Sequence, residues 1–105
     1  MIGGAAATLL RGKGSLQDID QMALIKPHVK SAVRVSKTRD IVPSLTNALN
    51  TAMSGVPGPV FVELPIDLLY PEETIREQHA NQLPSNGIVG KAMTWYVNRH
   101  LNNMF

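Results

Sequence analysis

The sequence has no cysteine. Disulfide bonds, thiolate metal sites and cysteine nucleophiles are therefore excluded, although the cellular compartment is not fixed by this absence. The histidines His28, His79 and His100 are far apart, and none forms a His-x-x-x-His pair beside a carboxylate. We therefore expect no zinc site.

Long apolar runs and blocks of one charge are also missing. No apolar run reaches the about 18 residues that a membrane-spanning helix needs, so no membrane span is predicted. The formal net charge is only +2, and the basic residues are scattered singly. A nucleic-acid-binding arm is not indicated, and we expect no nucleic-acid partner. In the opening stretch, residues 1–14, the charges follow the apolar part, which is the reverse of a signal peptide.

The sequence does not match the familiar nucleotide-binding and esterase motifs in detail. The Gly12-Lys13 pair lacks the earlier glycine of a phosphate-binding loop, since Ala7 stands there and Gly14 follows the lysine. A dinucleotide fingerprint beginning at Gly12 meets Gln17 where its third glycine belongs. No serine lies in a Gly-x-Ser-x-Gly elbow. The glycine-rich stretch is therefore interpreted as a loop.

The first half of the chain contains strand and helix signals. Residues 2–6, IGGAA, indicate the end of a buried strand running into a turn, and the abrupt opening suggests that the first half of that strand precedes Met1. Ser15 is expected to cap a short helix over residues 16–24, which Pro27 prevents from continuing. Alternating valines over residues 28–36 predict a half-buried strand.

A helix and a buried strand follow. Between residues 38 and 54 the apolar positions recur with helical spacing, Asp40 is a plausible N-cap, Pro43 fits the first turn and Gly55 is a natural stop. Seven side chains are expected to form one continuous face: Ile41, Val42, Leu45, Ala48, Leu49, Ala52 and Met53. The run PVFVEL, residues 59–64, is typical of a strand covered on both faces in a parallel sheet. Strand, helix and strand predict a right-handed crossover, and hence an α/β fold.

The composition changes near residue 70. Residues 70–86 are polar and bounded by prolines, which predicts a surface linker. A last helix is predicted from Gly87 to Met104, with apolar residues along one side. The aromatic residues of this helix, among them Trp95 and Tyr96, could insert into a membrane surface, but a core or protein interface is the commoner meaning of such a stripe.

Two carboxylates and one amide are the candidate functional side chains. Glu63, inside a buried strand, must be paired or at an edge, so it is either a structural ion pair, which we favour, or an acid–base group. Asp67, after Pro65, is expected to cap or brace the strand exit. Gln17 is either a surface residue or a cap partner when the residues alone are considered.

The sequence motifs taken together are more specific than any one of them alone. The stretch SGVPGPVFVELPIDLLYP, residues 54–71, resembles the end of the pyrimidine-binding domain in thiamine-diphosphate enzymes of the acetolactate synthase and 2-hydroxyacyl-CoA lyase group. Their pattern is Gly-x-Pro-Gly-Pro-Val, an aliphatic strand with an acid, then Pro-x-Asp. It is matched here by Gly55, Pro57, Gly58, Pro59, Glu63, Pro65 and Asp67. Residues 14–30, 38–55 and 86–105 resemble the neighbouring family segments in the same order.

This resemblance implies a fold and a chemistry. Residues 1–69 would be the C-terminal half of a parallel-sheet pyrimidine-binding domain, residues 70–86 a linker, and residues 87–105 the first helix of the middle domain. The family binds thiamine diphosphate between two subunits, with Mg²⁺ anchoring the diphosphate, and makes or cleaves carbon–carbon bonds in 2-hydroxyacyl-CoA or 2-keto acid substrates. Homo-oligomers and an association with the endoplasmic-reticulum membrane, through a segment upstream of Met1, are also implied.

The resemblance also assigns roles to residues. Gln17 matches the glutamine that faces the substrate and cofactor cleft, and Lys30 matches the lysine on the next strand. The catalytic glutamate would lie upstream of Met1 and the metal motif beyond Phe105, so Glu63 is not that glutamate. No catalytic residue or metal ligand is expected here, and we expect neither tight cofactor binding nor activity from this chain alone. The alternative is a non-catalytic short isoform that binds the full-length enzyme.

Overall fold

The computed structural model describes residues 1–82 and 87–105. They fall into two compact units, Met1–Leu69 and Tyr70–Phe105. The strands are β1 (Ile2–Ala5), β2 (Ser31–Arg34) and β3 (Val60–Pro65), and the α-helices are α1 (Gln21–Ile25), α2 (Ile41–Met53), α3 (Glu72–Gln82) and α4 (Ile88–Met104). Short 3₁₀ turns cover Thr8–Leu10, Lys26–His28, Thr38–Asp40 and Ile66–Leu68.

The first unit contains a parallel sheet with the order β1-β3-β2. Val62 lies at its centre, opposite Ile2 on one side and Val33 on the other. All six residues of β3 are buried, as the unbroken apolar run predicts. The predicted α/β class with parallel strands is confirmed, and the carboxyl ends of β1 and β3 come to the same edge of the sheet.

Helix α2 connects β2 to β3 and packs on both. Asp40 occupies the predicted N-cap position without a side-chain cap bond, and Gly55 ends the segment with φ +52°. The buried face of α2 is narrower than the continuous apolar face that the sequence predicts. Ala48 is buried, whereas Leu49 and Met53 are 64% and 70% exposed, because the sheet covers only one side of the helix.

The helix predicted for residues 16–24 is wrong in its position. Residues up to Asp20 form turns, and α1 begins at Gln21, where the Asp20 carboxylate accepts a hydrogen bond from Ala23 N at 3.1 Å. Gln17 has φ +62°, which an α-helix does not allow. Strand β2 is also shorter than the stretch 28–36 that alternation predicts.

The second unit contains α3 and α4. The predicted linker, residues 70–86, instead contains α3, although residues 83–86 lie outside the described residues. Glu72 and Glu73 stand in the first turn, where the helix dipole favours anions, and the Arg76 guanidinium pairs with Glu72 at 2.6 Å. These local terms stabilise a helix that has no strong apolar face.

Helix α4 begins one residue after the predicted start. Val97, Leu101 and Met104 are buried as expected, but Ile88 and Val89 at its start are exposed. Within residues 1–82 and 87–105, no helix is both long and apolar enough to cross a membrane.

Candidate functional site at the carboxyl end of the sheet

A cavity of about 580 Å³ lies where β1 and β3 end. The backbone from Gly4 to Ala7 forms one wall, and Leu10, Ile66 and Leu69 make the rest largely apolar. Ser15 and Gln17 add the polar side chains. Ligands of parallel α/β sheets bind outside the carboxyl ends of the strands, so this cavity is the candidate site of the first unit.

Gln17 occupies an unusual backbone conformation in this wall. Its φ of +62° makes it the single non-glycine residue with positive φ in the described part of the chain. Such a conformation costs about 1–3 kcal/mol and persists only where the surroundings impose it. Gln17 O accepts a hydrogen bond from Ile19 N at 3.1 Å, and Gly12 N donates to Asp18 Oδ2 at 2.6 Å. The loop that carries Gln17 is therefore closed by its own hydrogen bonds.

Asp67 links the segments that follow the two strands. Its Oδ2 atom accepts hydrogen bonds from Thr8 N at 3.0 Å and from Thr8 Oγ1 at 2.7 Å, and the carboxylate is buried. The sequence prediction that Asp67 braces the strand exit is confirmed. Asp67 Oδ1 is buried without a hydrogen-bond partner, which leaves this brace one-sided.

Glu63 connects the start of the loop that carries Gln17 to the central strand. Its Oε1 atom accepts from Arg34 Nε at 2.6 Å and from Arg11 Nη2 at 3.4 Å. The carboxylate is only 1% exposed, and its Oε2 atom has no partner. The ion pair favoured from the sequence is confirmed, and Arg11 joins the loop to the central strand.

Lys30 lies at the other end of the sheet, just before β2. Its ammonium donates to Ser54 O, to Ser54 Oγ at 3.2 Å and to Val56 O at 3.1 Å. These contacts tie Lys30 to residues 54–56, the turn that follows α2. The structure therefore does not bring Lys30 together with Gln17, and a cleft role for Lys30 stays a prediction.

The glycine-proline turn is packed against Lys30. Gly58 N donates to Ala52 O at 3.1 Å, and a Cβ on Gly58 would meet Lys30 Cβ at 3.4 Å. Pro59 O accepts from Lys30 N at 2.7 Å. Gly55, Pro57 and Pro65 complete the motif, with Pro65 as the last residue of β3. The sharp turn from α2 into β3 is thus fixed by backbone geometry.

Sequence reasoning missed the partners of the carboxylates. Arg34 was recognisable as a cation inside a half-buried strand, but its partner depends on the register between β2 and β3. Thr8 and Arg11 carry no motif. Asp18 follows Gln17 in the Leu-Gln-Asp part of the family segment, but only the folded loop shows what these three residues contact. Within the described ranges, 1–82 and 87–105, no group of three or more metal-ligating side chains is placed to hold a metal ion.

Comparison with known proteins extends these findings. The chain is 51% identical over all its 105 residues to 2-hydroxyacyl-CoA lyase 2 of Danio rerio and 47% identical to that of Homo sapiens. It is 39% identical over 84 residues, 80% of its length, to the acetolactate synthase isozyme 3 large subunit of Escherichia coli. The chain is therefore similar along its whole length to 2-hydroxyacyl-CoA lyase 2, and along most of it to an acetolactate synthase large subunit. No family profile matches it.

These similarities confirm the resemblance carried by residues 54–71 and its companion segments. The motifs predict a resemblance to the animal acetolactate synthase-like protein, 2-hydroxyacyl-CoA lyase 2, and the matching relatives include 2-hydroxyacyl-CoA lyase 2 from several animals. The chain spans 17% of the length of the zebrafish and human relatives. The three-stranded parallel sheet agrees with a domain fragment of such an enzyme.

Proposed function

We propose that this chain is part of a thiamine-diphosphate-dependent carbon–carbon lyase or ligase acting on 2-hydroxyacyl-CoA or 2-keto acid substrates. In this proposal, residues 1–69 are the C-terminal half of the pyrimidine-binding domain and residues 87–105 open the middle domain. The observation that carries it is the similarity of the whole chain to 2-hydroxyacyl-CoA lyase 2. The cavity beside Gln17, at the carboxyl edge of a parallel sheet, supports it.

The residues at the cavity fit one wall of such a cofactor site. Gly4 and the following alanines offer backbone and methyl surface against a flat ring, and the Gln17 amide can donate or accept one hydrogen bond. Thiamine diphosphate, when bound, supplies the electron sink for the carbon–carbon chemistry. The described residues include no metal-ligand cluster, so Mg²⁺ and the diphosphate would be held by other parts of the enzyme. In the intact enzyme, the residues of this chain would contact and orient the cofactor and the substrate.

A hybrid enzyme tests this proposal. In it, the 105-residue sequence replaces the aligned segment of the Danio rerio 2-hydroxyacyl-CoA lyase 2. We expect the hybrid to cleave a 2-hydroxyacyl-CoA when thiamine diphosphate and Mg²⁺ are added, and the isolated chain to show no turnover. A folded but inactive hybrid, or turnover by the isolated chain, would contradict the proposal.

Gln17 is proposed to position the substrate in that hybrid. Gln17→Ala should lower kcat/KM by about tenfold, the effect of losing one uncharged hydrogen bond. Gln78→Ala, which removes an exposed amide on α3, is the matched control and should leave the kinetics unchanged. Equal kinetic constants for the two variants would show that Gln17 does not position the substrate.

A second candidate function is supported by the surface of α2. Leu49 and Met53 are largely exposed, as is Val56 beyond the helix, so the chain could act as a non-catalytic module that binds the full-length enzyme. Homo-oligomers of the family would provide the partner surface. The tagged chain should then co-purify with the intact enzyme, and Leu49→Gln with Met53→Gln should abolish this. If the chain remains monomeric in the presence of the full-length enzyme, the hypothesis of a binding module is wrong.

The location is proposed from the family resemblance alone. We propose that the gene product associates with the endoplasmic-reticulum membrane. Fractionation of cells that express the tagged gene should place it with reticulum membranes, and recovery in the cytosolic fraction would oppose the proposal.

A further inference from the structure

We propose that Asp18 is a positioning residue that holds Gln17 in its left-handed conformation through a hydrogen bond to the amide of Gly12. This inference rests on the proposed role of Gln17 and adds the device that fixes its geometry. It concerns the loop of residues 12–18, between the 3₁₀ turn after β1 and helix α1.

The loop is closed at its two ends. Gly12 N donates to Asp18 Oδ2 at 2.6 Å, a short charge-assisted bond. Inside the ring, Asp18 N donates to Ser15 O at 3.1 Å. Gly12 and Gly14 adopt φ values of +75° and +74°, which permit the chain to turn back so that Asp18 can reach Gly12. Asp18 is thus joined to the loop through both its backbone and its side chain.

Gln17 takes its conformation from this closure. A φ of +62° is unfavourable for glutamine, which lacks the short polar group that compensates for this conformation in asparagine and aspartate. Because Asp18 is the next residue, anchoring its carboxylate and its amide fixes the peptide plane that follows Gln17. The far end of the anchor is connected to the sheet, since Arg11, next to Gly12, pairs with the buried Glu63 of β3 at 3.4 Å.

Asp18 acts on the site through Gln17 and does not line it. The cavity at the carboxyl end of the sheet is lined by Gln17, whereas Asp18 lines a separate cavity of about 290 Å³ together with Arg11 and Arg34. The Asp18 carboxylate is therefore on the other side of the loop from the proposed substrate. Its loss should change how often Gln17 is correctly placed, and nothing else at the site.

Hydrogen exchange on the hybrid enzyme tests the hydrogen bond. We expect Asp18→Ala to speed exchange at the Gly12 amide by about tenfold or more, because the amide loses its acceptor. Asp18→Asn keeps an acceptor oxygen and should restore most of the protection. Asp20→Ala, which removes a nearby carboxylate that caps α1, is the matched control and should leave Gly12 unchanged. Unaltered exchange in Asp18→Ala would overturn the proposal.

A double-mutant cycle tests the coupling to Gln17. Asp18→Ala should lower kcat/KM by about tenfold when Gln17 is present and should have no further effect in Gln17→Ala. Independent losses that multiply in the double variant would show that Asp18 does not act through Gln17, and would overturn the proposal. If Gln17→Ala alone were silent, the proposed role of Gln17 would fall and with it this positioning role, while fast exchange at Gly12 in Asp18→Ala would still establish the hydrogen bond itself.

Discussion

Arg34 and Glu63 lie directly opposite each other in the parallel register of β2 and β3, and Arg34 Nε donates to Glu63 Oε1 at 2.6 Å. The same oxygen accepts a longer bond, 3.4 Å, from Arg11 in the loop after β1. One buried carboxylate therefore connects both outer segments to the central strand. Both arginine side chains are about one-third exposed, so water can still solvate the cations while Glu63 depends on them.

Removing Arg34 should destabilise the first unit more than removing Arg11. Arg34→Met leaves Glu63 with only the longer contact, and a buried charge without a close partner costs about 3 kcal/mol. Arg11→Met keeps the short bond and should cost about 1 kcal/mol. The melting temperature of the hybrid enzyme measures both, with Arg39→Met at an exposed position as the control. Equal losses for the two variants would contradict this ranking.

Gly3 and Gly4 form a matched pair of neighbours in β1. A Cβ on Gly3 would lie 2.6 and 2.7 Å from ring atoms of Phe61, whereas a Cβ on Gly4 meets nothing within 4 Å. We expect Gly3→Ala to destabilise the unit by about 1–3 kcal/mol, the usual cost of overpacking, and Gly4→Ala to have little effect. Thermal melts of the hybrid enzyme check this, and Phe61→Leu should partly rescue Gly3→Ala. A harmless Gly3→Ala would show that the ring moves freely.

The parts of the fold that follow from periodicity were predictable from the sequence. The buried run of β3 and the helical spacing of α2 and α4 set their type, because burial repeats with a fixed period in each element. The stretch of residues 16–20 was not predictable in this way, since the Gly12–Asp18 hydrogen bond favours a turn over the helix expected there. Helix α3 was missed because local charges stabilise it, although Pro71, Glu72 and Glu73 were a usable start signal.

The candidate site was predictable only where a family motif carried it. Gln17 was identified by resemblance, but its left-handed conformation and its hydrogen-bonded support required coordinates. Glu63 was recognised as needing a partner, while the identity of Arg34 depended on strand register. Register and loop closure are tertiary properties, because they depend on which segments of the chain meet in the fold.

Apolar surface and open sheet edges set the behaviour of the isolated chain. Leu49 and Met53 are 64% and 70% exposed on α2, and Val42 on the same helix is also exposed. In the described part of the chain, β1 and β2 each pair with β3 alone, so each has one unpaired edge. Unpaired edges beside apolar surface favour association between chains.

We therefore expect the isolated chain to be poorly soluble and to unfold without a sharp cooperative transition. Leu49→Gln with Met53→Gln should lower light scattering while the far-ultraviolet circular dichroism stays the same, because these side chains contribute surface but little core. Ala48→Gln, on the buried side of the same helix, is the matched control and should reduce the helical signal through overpacking and burial of an amide. Calorimetry of the unmodified chain gives the decisive measurement. A sharp melt that does not depend on concentration would show that the core of the chain suffices for cooperative folding, and our expectation would then be wrong.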